Sequence, residues 1–260
     1  MRVVLLAVLL LAGGDALARG KKKSEDGGTK KSSKGTLTIN GEKAVVNWSD
    51  GDSFRILEGP FSGSGTRLVG YNTLESYGPV HRWGSWTARE LWELEKGDTA
   101  ITAATEWKCS SDGKKDGYGR VLIDCPDVAL AMIQAGHAMA YAIEGTKSDP
   151  KLLEAQRAAQ AKKVGIWAKG VPNGIVTSLH SVGEEGGQGD KAYNRVVDTR
   201  TGDALKREHK ETYKVCQEVC VETDGTTSCM LFVPFNQRYK NRADCLKDDA
   251  QPGPNQSKFP

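Results

Sequence analysis

Apolar and polar positions alternate in the first half of the chain and predict short β-strands. Segments of this kind cover residues 37–39, 44–48, 53–57 and 66–71, and a period of two is typical of half-buried strands. Between the second and the third segment, residues 49–52 contain Asp-Gly, which supplies the positive φ angles of a tight hairpin. The pattern therefore predicts a hairpin followed by further strands.

The period changes to that of helices after residue 85. Thr87 and Glu90 have the spacing of a capping box, and they open an amphipathic pattern that ends before Gly97. The remaining elements predicted for this part are a strand over 99–107, a strand over 118–125, a helix over 126–136 and a helix from 149 to about 165.

The pattern weakens in the last third of the chain, where we expect a linker and a second unit. Within residues 171–203, Pro172 and the Gly/Glu run at 183–189 are typical of an interdomain linker. Apolar residues and cysteines then recur at helical spacing over 204–221, which predicts a helix. This helix would open a small, Cys-rich C-terminal unit over 204–260.

The first residues have the pattern of a secretory signal peptide. Arg2 precedes an apolar run over 3–12, and Ala-Leu-Ala at 16–18 is a small-x-small cleavage site. The apolar run is too short for a stable transmembrane helix, and no later segment is apolar enough. We therefore expect residues 1–18 to be a Sec-type signal peptide and the mature protein to be soluble, without a membrane span, and secreted or periplasmic.

Residues 19–36 are basic and nearly free of apolar side chains. Such a segment cannot pack, so we expect it to be disordered. It serves either as a solvated linker or as a loose contact with phosphates or a cell surface. The formal net charge of +3 is too small to indicate nucleic-acid binding by itself. With 38% apolar residues, the rest of the chain has room for a packed core.

The six cysteines are even in number and, in an exported chain, predict disulfides before metal sites. Cys109 and Cys125 would lie on neighbouring strands, and their bridge would contribute about 3 kcal/mol in the chain-entropy model. The other four are Cys216, Cys220, Cys229 and Cys245. On a helix, Cys216 and Cys220 would be too far apart to bond each other. Each should pair with one of the last two; a zinc site from all four is the alternative.

A candidate site lies in the middle of the chain. Residues 67–75 begin with Arg67, cross a mostly apolar strand and end with Glu75. A cation and an anion at the two ends of a rigid strand can form a site for a charged ligand. Because two such residues are usually solvated surface charges when taken alone, the neighbouring motifs decide between these interpretations.

Four motifs occur together in the chain. They are Asp50-Gly51-Asp52, the stretch 67–75, Tyr118-Gly119-Arg120 and Gly165-Ile166-Trp167. Each is weak alone, but in this order and at this spacing the chain resembles the staphylococcal nuclease (thermonuclease) family over about residues 37–168. That is about half of the chain.

The resemblance implies an α+β fold over residues 37–170. The family fold is a five-stranded β-barrel of the OB type with three packed α-helices, here followed by the disulfide-containing C-terminal unit. Enzymes of this family are calcium-dependent phosphodiesterases of DNA and RNA. The resemblance thus implies Ca²⁺ as cofactor and nucleic acids as substrates. The sequence indicates no protein partner, and the partner of the C-terminal unit stays open.

The resemblance also assigns catalytic roles. Arg67 and Arg120 match the two family arginines that hold the scissile phosphate. Glu75 matches the carboxylate that orients or deprotonates the attacking water. These residue types suit phosphodiester hydrolysis, because planar guanidinium groups bind phosphate oxygens bidentately and a positioned carboxylate orients or deprotonates the water. The scattered histidines form no competing Ser/His/Asp or Cys/His arrangement, and His137 is expected to end a helix.

Metal and substrate positions follow from the same resemblance. Asp52 matches a calcium ligand, Asn72 stands at a second ligand position, and Thr73 matches the residue whose backbone carbonyl binds the metal. A hard cation needs such oxygen ligands. Tyr118 resembles the tyrosine beside the nucleotide phosphate, and Tyr141 matches one that contacts the base. The Asp-Gly-Asp turn has a purely structural interpretation as well.

Two departures from the family pattern open alternative functions. Asn72 replaces an aspartate, which keeps an oxygen but loses the charge, and Leu74 replaces a proline in the loop that aims Glu75. The sequence therefore predicts an exported endonuclease with a weakened calcium site. A nucleic-acid-binding module without catalysis is the second hypothesis, and a structural role at the cell surface is the third, since a fold does not fix a function.

Overall fold

The computed structural model describes residues 33–184 and 191–247. The predicted signal peptide lies outside the described residues, and so does most of the predicted basic segment. The last residues of that segment are ordered, because strand β1 already begins at Lys34.

Four strands form the first sheet, in the spatial order β3–β2–β1–β7. They are β1 (Lys34–Ile39), β2 (Glu42–Trp48), β3 (Phe54–Glu58) and β7 (Trp107–Cys109). Neighbours in β1 to β3 pair antiparallel, whereas β7 runs parallel to β1. Leu37, Ile39 and Val46 alternate with more exposed residues and bury one face, as the period of two predicted.

Two short strand pairs follow. Strand β4 (Thr66–Leu68) runs parallel to β8 (Val121–Ile123), and β5 (Tyr71–Asn72) runs antiparallel to β9 (Met139–Ala140). In the described residues these pairs and the first sheet are separate, so the strands form no continuous closed barrel. Isolated bridges connect Arg55 with Gly65, and Ser110 with Asp124.

The helices are α1 (Ala88–Glu95), α2 (Asp98–Ala103), α3 (Pro126–Gln134) and α4 (Pro150–Ala161). The capping box of Thr87 and Glu90 is present at the start of α1. The strand predicted over 99–107 is wrong, because α2 occupies its first half and β7 begins only at its end. β-branched residues favour strands, but the Thr102 hydroxyl donates to the Asp98 carbonyl one helical turn back.

Two further predictions are wrong, that of a linker over 171–203 and that of a helix over 204–221. Strands β10 (Gly174–Leu179), β11 (Ala192–Asp198) and β12 (Ala204–His209) form an antiparallel sheet. Strands β13 (Glu218–Thr223) and β14 (Thr226–Leu231) pair with each other, and β14 also pairs with β6 (His81–Trp83). Within 204–221, β12 and β13 each pair with a neighbouring strand of the chain, and this cross-strand pairing overrides the helical spacing.

Three disulfides join the six cysteines. The Cys109–Cys125 bridge is confirmed. The other pairs are Cys216–Cys245 and Cys220–Cys229, so the prediction that Cys216 and Cys220 do not bond each other is confirmed as well. The prediction that Cys216 and Cys220 lie on one helix is wrong, because Cys220 lies on β13 and Cys216 lies in the turn before it. No thiolates are left for the zinc alternative, because all six sulfurs lie in bridges.

The Gly165-Ile166-Trp167 motif packs against the end of α3. Gly136 and Gly165 both have positive φ angles, and a Cβ on Gly165 would lie 2.0 Å from the Gly136 carbonyl oxygen. This close approach buries Ile166 and Trp167 beside α4. Among the described helices, none has the length and apolarity needed to cross a bilayer.

Candidate nuclease site

The turn between β2 and β3 holds two carboxylates in a fixed arrangement. Asp50 Oδ1 accepts hydrogen bonds from the Asp52 amide at 3.2 Å and from Ser53 Oγ at 2.6 Å. The buried Tyr71 hydroxyl donates to the Gly51 carbonyl at 2.6 Å, which ties the turn to β5. Because a Cβ on Gly51 would lie 2.6 Å from Thr73 Cγ2, only glycine allows this approach.

A closed ring of contacts joins this turn to the end of β5. Arg67 Nη1 forms a 2.6 Å ion pair with Asp52 Oδ1, and its Nη2 donates to Asn72 Oδ1. The Asn72 amide donates onward to the Thr73 carbonyl at 2.7 Å. The Thr73 N–H closes the ring by donating to Asp52 Oδ2 at 3.0 Å. The structure thus brings four of the sequence-predicted residues into direct contact.

Both predicted arginines lie near Glu75. Arg67 lies opposite Leu122 in the parallel β4–β8 pair, and Arg120 immediately precedes β8. Both guanidinium groups act to lower the pKa of the Glu75 carboxyl, so their charges reach the same site. Arg120 is partly exposed and paired with Asp116, at 2.7 Å.

The predicted tyrosines accompany these arginines. The Arg67 guanidinium lies 5.9 Å from the centre of the Tyr141 ring, and that of Arg120 lies 5.6 Å from the Tyr118 ring. Tyr118 is largely exposed, whereas Tyr141 is half-buried. A cation beside an aromatic face suits contacts with a phosphate and an adjoining base.

Glu75 follows this ring on a loop that the core holds firmly. Its backbone N–H donates to His81 Nε2 at 3.3 Å. Leu74 is buried in a cluster with Trp83 and Leu91, so the residue that stands where the family pattern has a proline anchors the loop. Burial raises the pKa of the Glu75 carboxyl, and Arg238 opposes this increase more strongly than Arg67 does.

More acidic groups lie around the site than its cations neutralise. Burial and the neighbouring Asp52 raise the pKa of Asp50 to about 7. Burial and Asp98 raise the pKa of Glu95 to about 9. Asp98 shares a 2.6 Å hydrogen bond with His137, and its buried Oδ2 atom has no hydrogen-bond partner. A site with this surplus of carboxylates favours a positively charged ligand.

The motifs and the geometry of the site agree with one family. Residues 66–169 match the family model of staphylococcal nuclease homologues. This match indicates a nuclease-type activity for the chain. It contains Arg67, Glu75 and Arg120, but it begins after Asp52. No curated protein matches the chain.

The donor set of the candidate site fits a hard divalent cation. The Asp52 carboxylate, the Asn72 amide oxygen and the Thr73 carbonyl are oxygen ligands of the kind that Ca²⁺ prefers. The surplus of buried carboxylates and the partnerless Oδ2 atom of Asp98 agree with a missing positive charge. In this structure Arg67 supplies the positive charge that Asp52 and Asn72 face.

The sequence missed three residues of this site. Glu95 and Asp98 gave no signal, because they belong to ordinary helical patterns. Arg238 belongs to the C-terminal unit, more than 160 positions after Glu75. The only available signal was the run from Phe235 to Lys240, in which aromatic and basic residues are mixed.

Proposed function

We propose that this chain is an exported, metal-dependent nuclease that hydrolyses DNA and RNA with little sequence preference. The observation that carries the proposal is the ring of Arg67, Asp52, Asn72 and Thr73, with Glu75 next to it, in a segment that matches the nuclease family. Export and the secreted or periplasmic location rest on the signal-peptide pattern of residues 1–18.

In this proposal the two arginines bind the scissile phosphate. Arg67 lies on β4 and Arg120 immediately precedes β8, the strand paired with β4. Their planar groups each offer two parallel donors to phosphate oxygens. Binding requires both to exchange their present carboxylate partners, Asp52 and Asp116, for the phosphate. Positive charge at this position stabilises the negative charge that develops on the equatorial oxygens.

Glu75 handles the attacking water. Its carboxylate accepts a proton from water while the water oxygen forms a bond to phosphorus. The ester P–O bond on the opposite side breaks, and the departing oxygen takes a proton from solvent. A carboxylate whose pKa is raised by burial is a better base than an exposed one, which suits this role.

Asp52, Asn72 and the Thr73 carbonyl are the residues that would hold a divalent cation, with Ca²⁺ the best match to their oxygen donors. When bound, the ion supplies charge neutralisation and polarises the phosphate. Asn72 contributes one negative charge less than an aspartate, so we expect weaker calcium binding than in the family pattern.

We also infer that the strands around the site correspond to an OB-type barrel. The bridge from Arg55 to Gly65 continues the pairing from β3 to β4, and the bridge from Ser110 to Asp124 continues it from β8 to β7. These single bridges stand where a continuous barrel would have full strand pairs, between the first sheet and the separate β4–β8 pair. Nucleic acids commonly bind on this type of barrel.

Asn72 favours a second function. Both ends of its amide are satisfied inside the protein, by Arg67 and by the Thr73 carbonyl. A chain with this arrangement can retain the phosphate-binding arginines without metal-assisted hydrolysis. The alternative is therefore a nucleic-acid-binding module that has lost catalysis.

A cleavage assay tests the proposal. The chain from Arg19 onward is incubated with plasmid DNA and with RNA, in calcium, magnesium, manganese or EDTA. Glu75→Gln removes the water-handling carboxylate, and Glu42→Gln, on an exposed position of β2, is the matched control for loss of one negative charge. We expect cleavage that needs a metal, persists in the control and disappears in Glu75→Gln.

Intact nucleic acid under every metal would overturn the nuclease proposal. A salt-dependent gel shift in the same samples would then support the binding module. Cleavage by the Glu75→Gln variant would still support a nuclease, but it would show that Glu75 is not the residue that handles water.

A further inference from the structure

The C-terminal segment packs directly against the loop that carries Glu75. Strand β14 pairs with β6, which follows this loop, and the Leu231 N–H donates to the Val80 carbonyl at 2.9 Å. Tyr77 and Val80 are buried in one cluster with residues from β10, β14 and the C-terminal segment. A Cβ on Gly78 would lie 2.5 Å from Leu246 Cδ2. The two segments therefore behave as one packed body.

This packing sets Arg238 beside the candidate catalytic residue. The chain leaves β14 and forms a short 3₁₀ turn over Phe235–Gln237. Arg238 Nε then donates to the Val233 carbonyl at 3.0 Å, and its guanidinium lies 4.8 Å from the centre of the Tyr77 ring. Tyr77 is two residues from Glu75, so Arg238 is held close to the Glu75 loop.

The Arg238 guanidinium keeps hydrogen-bond donors available beside the Glu75 loop. Arg238 is only partly buried, and its Nε atom is committed to the backbone. Its remaining guanidinium donors can serve an anionic ligand, since arginine carries five N–H donors.

Exposed aromatic rings lie on either side of Arg238. Phe235 is 67% exposed and Tyr239 is 60% exposed. The Arg238 guanidinium is 5.9 Å from the Phe235 ring, and the Tyr239 ring packs edge-on against Tyr77 at 6.2 Å. Lys240 follows directly and is exposed. Aromatic faces interleaved with basic groups are typical of surfaces that bind single-stranded nucleic acid.

We propose that Phe235, Arg238 and Tyr239 form a strand-binding subsite next to the candidate catalytic centre. Arg238 binds a phosphate adjacent to the scissile one, and the two rings stack on neighbouring bases of the same single strand. The C-terminal unit is then part of the substrate-binding surface and not an appended module. This inference rests on the proposed nuclease function for the position of the scissile phosphate.

A binding experiment separates the subsite from catalysis. All variants carry Glu75→Gln so that the strand stays intact. Fluorescence anisotropy measures the affinity for a labelled oligothymidylate about 10 nucleotides long, which matches the footprint of a small barrel domain. Arg238→Gln removes the charge but keeps a hydrogen-bond donor. Arg195→Ala is the control, because Arg195 also lies beside a tyrosine ring, that of Tyr193 on β11.

We expect Arg238→Gln to weaken binding and to lower the slope of log affinity against log salt by about 0.7, the value for one single-strand phosphate contact. The double variant Phe235→Ala/Tyr239→Ala should weaken binding at least about thirty-fold, since each lost stacking contact costs about five-fold or more, with the salt slope unchanged. Because both rings are exposed, this variant should fold normally. Arg195→Ala should bind like the parent.

Turnover by the parent chain supplies an independent readout. In the chain that retains Glu75, the double variant Phe235→Ala/Tyr239→Ala should raise KM for a long strand and leave KM for a dinucleotide close to the parent value. Unchanged affinity in both Arg238→Gln and the double variant would overturn the subsite, even if the parent cleaves DNA. An equal loss of kcat on the long strand and the dinucleotide would also overturn it, because it indicates a disturbed Glu75 loop. Absence of cleavage by the parent would reject only the proposed nuclease.

Discussion

The Tyr71 hydroxyl donates a 2.6 Å hydrogen bond to the carbonyl of Gly51, twenty residues earlier in the chain. Both groups are buried. The bond joins the turn that carries Asp52 to the strand whose last residue is Asn72. The candidate ligand oxygens therefore come from two segments that the core holds at a fixed separation, before any cation or phosphate binds.

Tyr71→Phe tests this connection. The ring stays in the core, but the buried Gly51 carbonyl loses its partner, so we expect a loss of about 1–3 kcal/mol in the free energy of unfolding. Urea unfolding followed by fluorescence measures it. Tyr193→Phe, at a half-buried position of β11, is the control and should change little. Equal stabilities of Tyr71→Phe and the parent would show that the bond does not contribute.

Asn72→Asp tests whether this residue belongs to a metal site. An aspartate cannot donate to the Thr73 carbonyl, so without metal the variant should lose about 1–3 kcal/mol of stability. It also adds the negative charge that a cation prefers, and calcium should therefore raise its Tm more than that of the parent. Thermal unfolding in EDTA and in calcium checks both parts.

Asn47→Asp, at an exposed position of β2, is the control for added charge. The same calcium-induced Tm shift in Asn72→Asp and in the parent would mean that residue 72 does not contact the metal. In a cleavage assay, we expect Asn72→Asp to be the more active chain.

Glu95→Gln tests the raised pKa of a buried carboxyl. Burial raises the pKa of Glu95 from 4.5 to about 9, so between these values the folded chain holds a proton that the unfolded chain has lost. Folding stability therefore falls as pH rises through this window, by an amount on the order of 3 kcal/mol at pH 7. Glutamine avoids this loss because it resembles the protonated acid.

Urea unfolding at several pH values should show that Glu95→Gln gains stability over the parent above pH 4.5 and gains more as the pH increases. Below pH 4.5 the two chains should agree. Glu93→Gln, at an exposed position of the same helix, should follow the parent at every pH. A pH-independent difference for Glu95→Gln would contradict a raised pKa.

The double variant Cys216→Ala/Cys245→Ala tests how the C-terminal segment is held. This bridge spans 29 residues and encloses Arg238, and its loss should cost about 3–4 kcal/mol in the chain-entropy model. We also expect faster proteolysis between residues 232 and 245. Cys220→Ala/Cys229→Ala opens a span of only nine residues and should cost less. Equal losses of unfolding free energy in the two double variants would contradict the chain-entropy model.

Local chemistry made the first part of the fold predictable. The Asp-Gly turn, the capping box of Thr87 and Glu90, and the proline that opens α3 each act within a few residues, and all three mark elements of the structure. The turn joins β2 and β3 as predicted, but neither Asp50 nor Gly51 has the predicted positive φ angle.

The prediction failed over 204–221, where the spacing of apolar residues and cysteines suggested a helix. Strands β12 and β13 instead form hairpins with their chain neighbours β11 and β14. The Asp224-Gly225 turn between β13 and β14 is a local hairpin signal that the helical spacing concealed.

The sequence by itself determined the identity of the candidate chemistry. Arg67, Glu75 and Arg120 stand in motifs whose residue types suit phosphate binding and water activation, and the cysteines could be assigned to disulfides from their number and setting. Such signals can be recognised in the sequence alone, because they depend on residue type and on short spacings.

Only the tertiary structure decided how these residues are used. It joined Arg67 to Asp52, satisfied the amide of Asn72 through the Thr73 carbonyl and brought Arg238 to the Glu75 loop. The physical reason is that burial, charge pairing and strand register depend on contacts between segments far apart in the chain. Hydrophobic periodicity records which face of an element is buried, but it does not record which distant element covers that face.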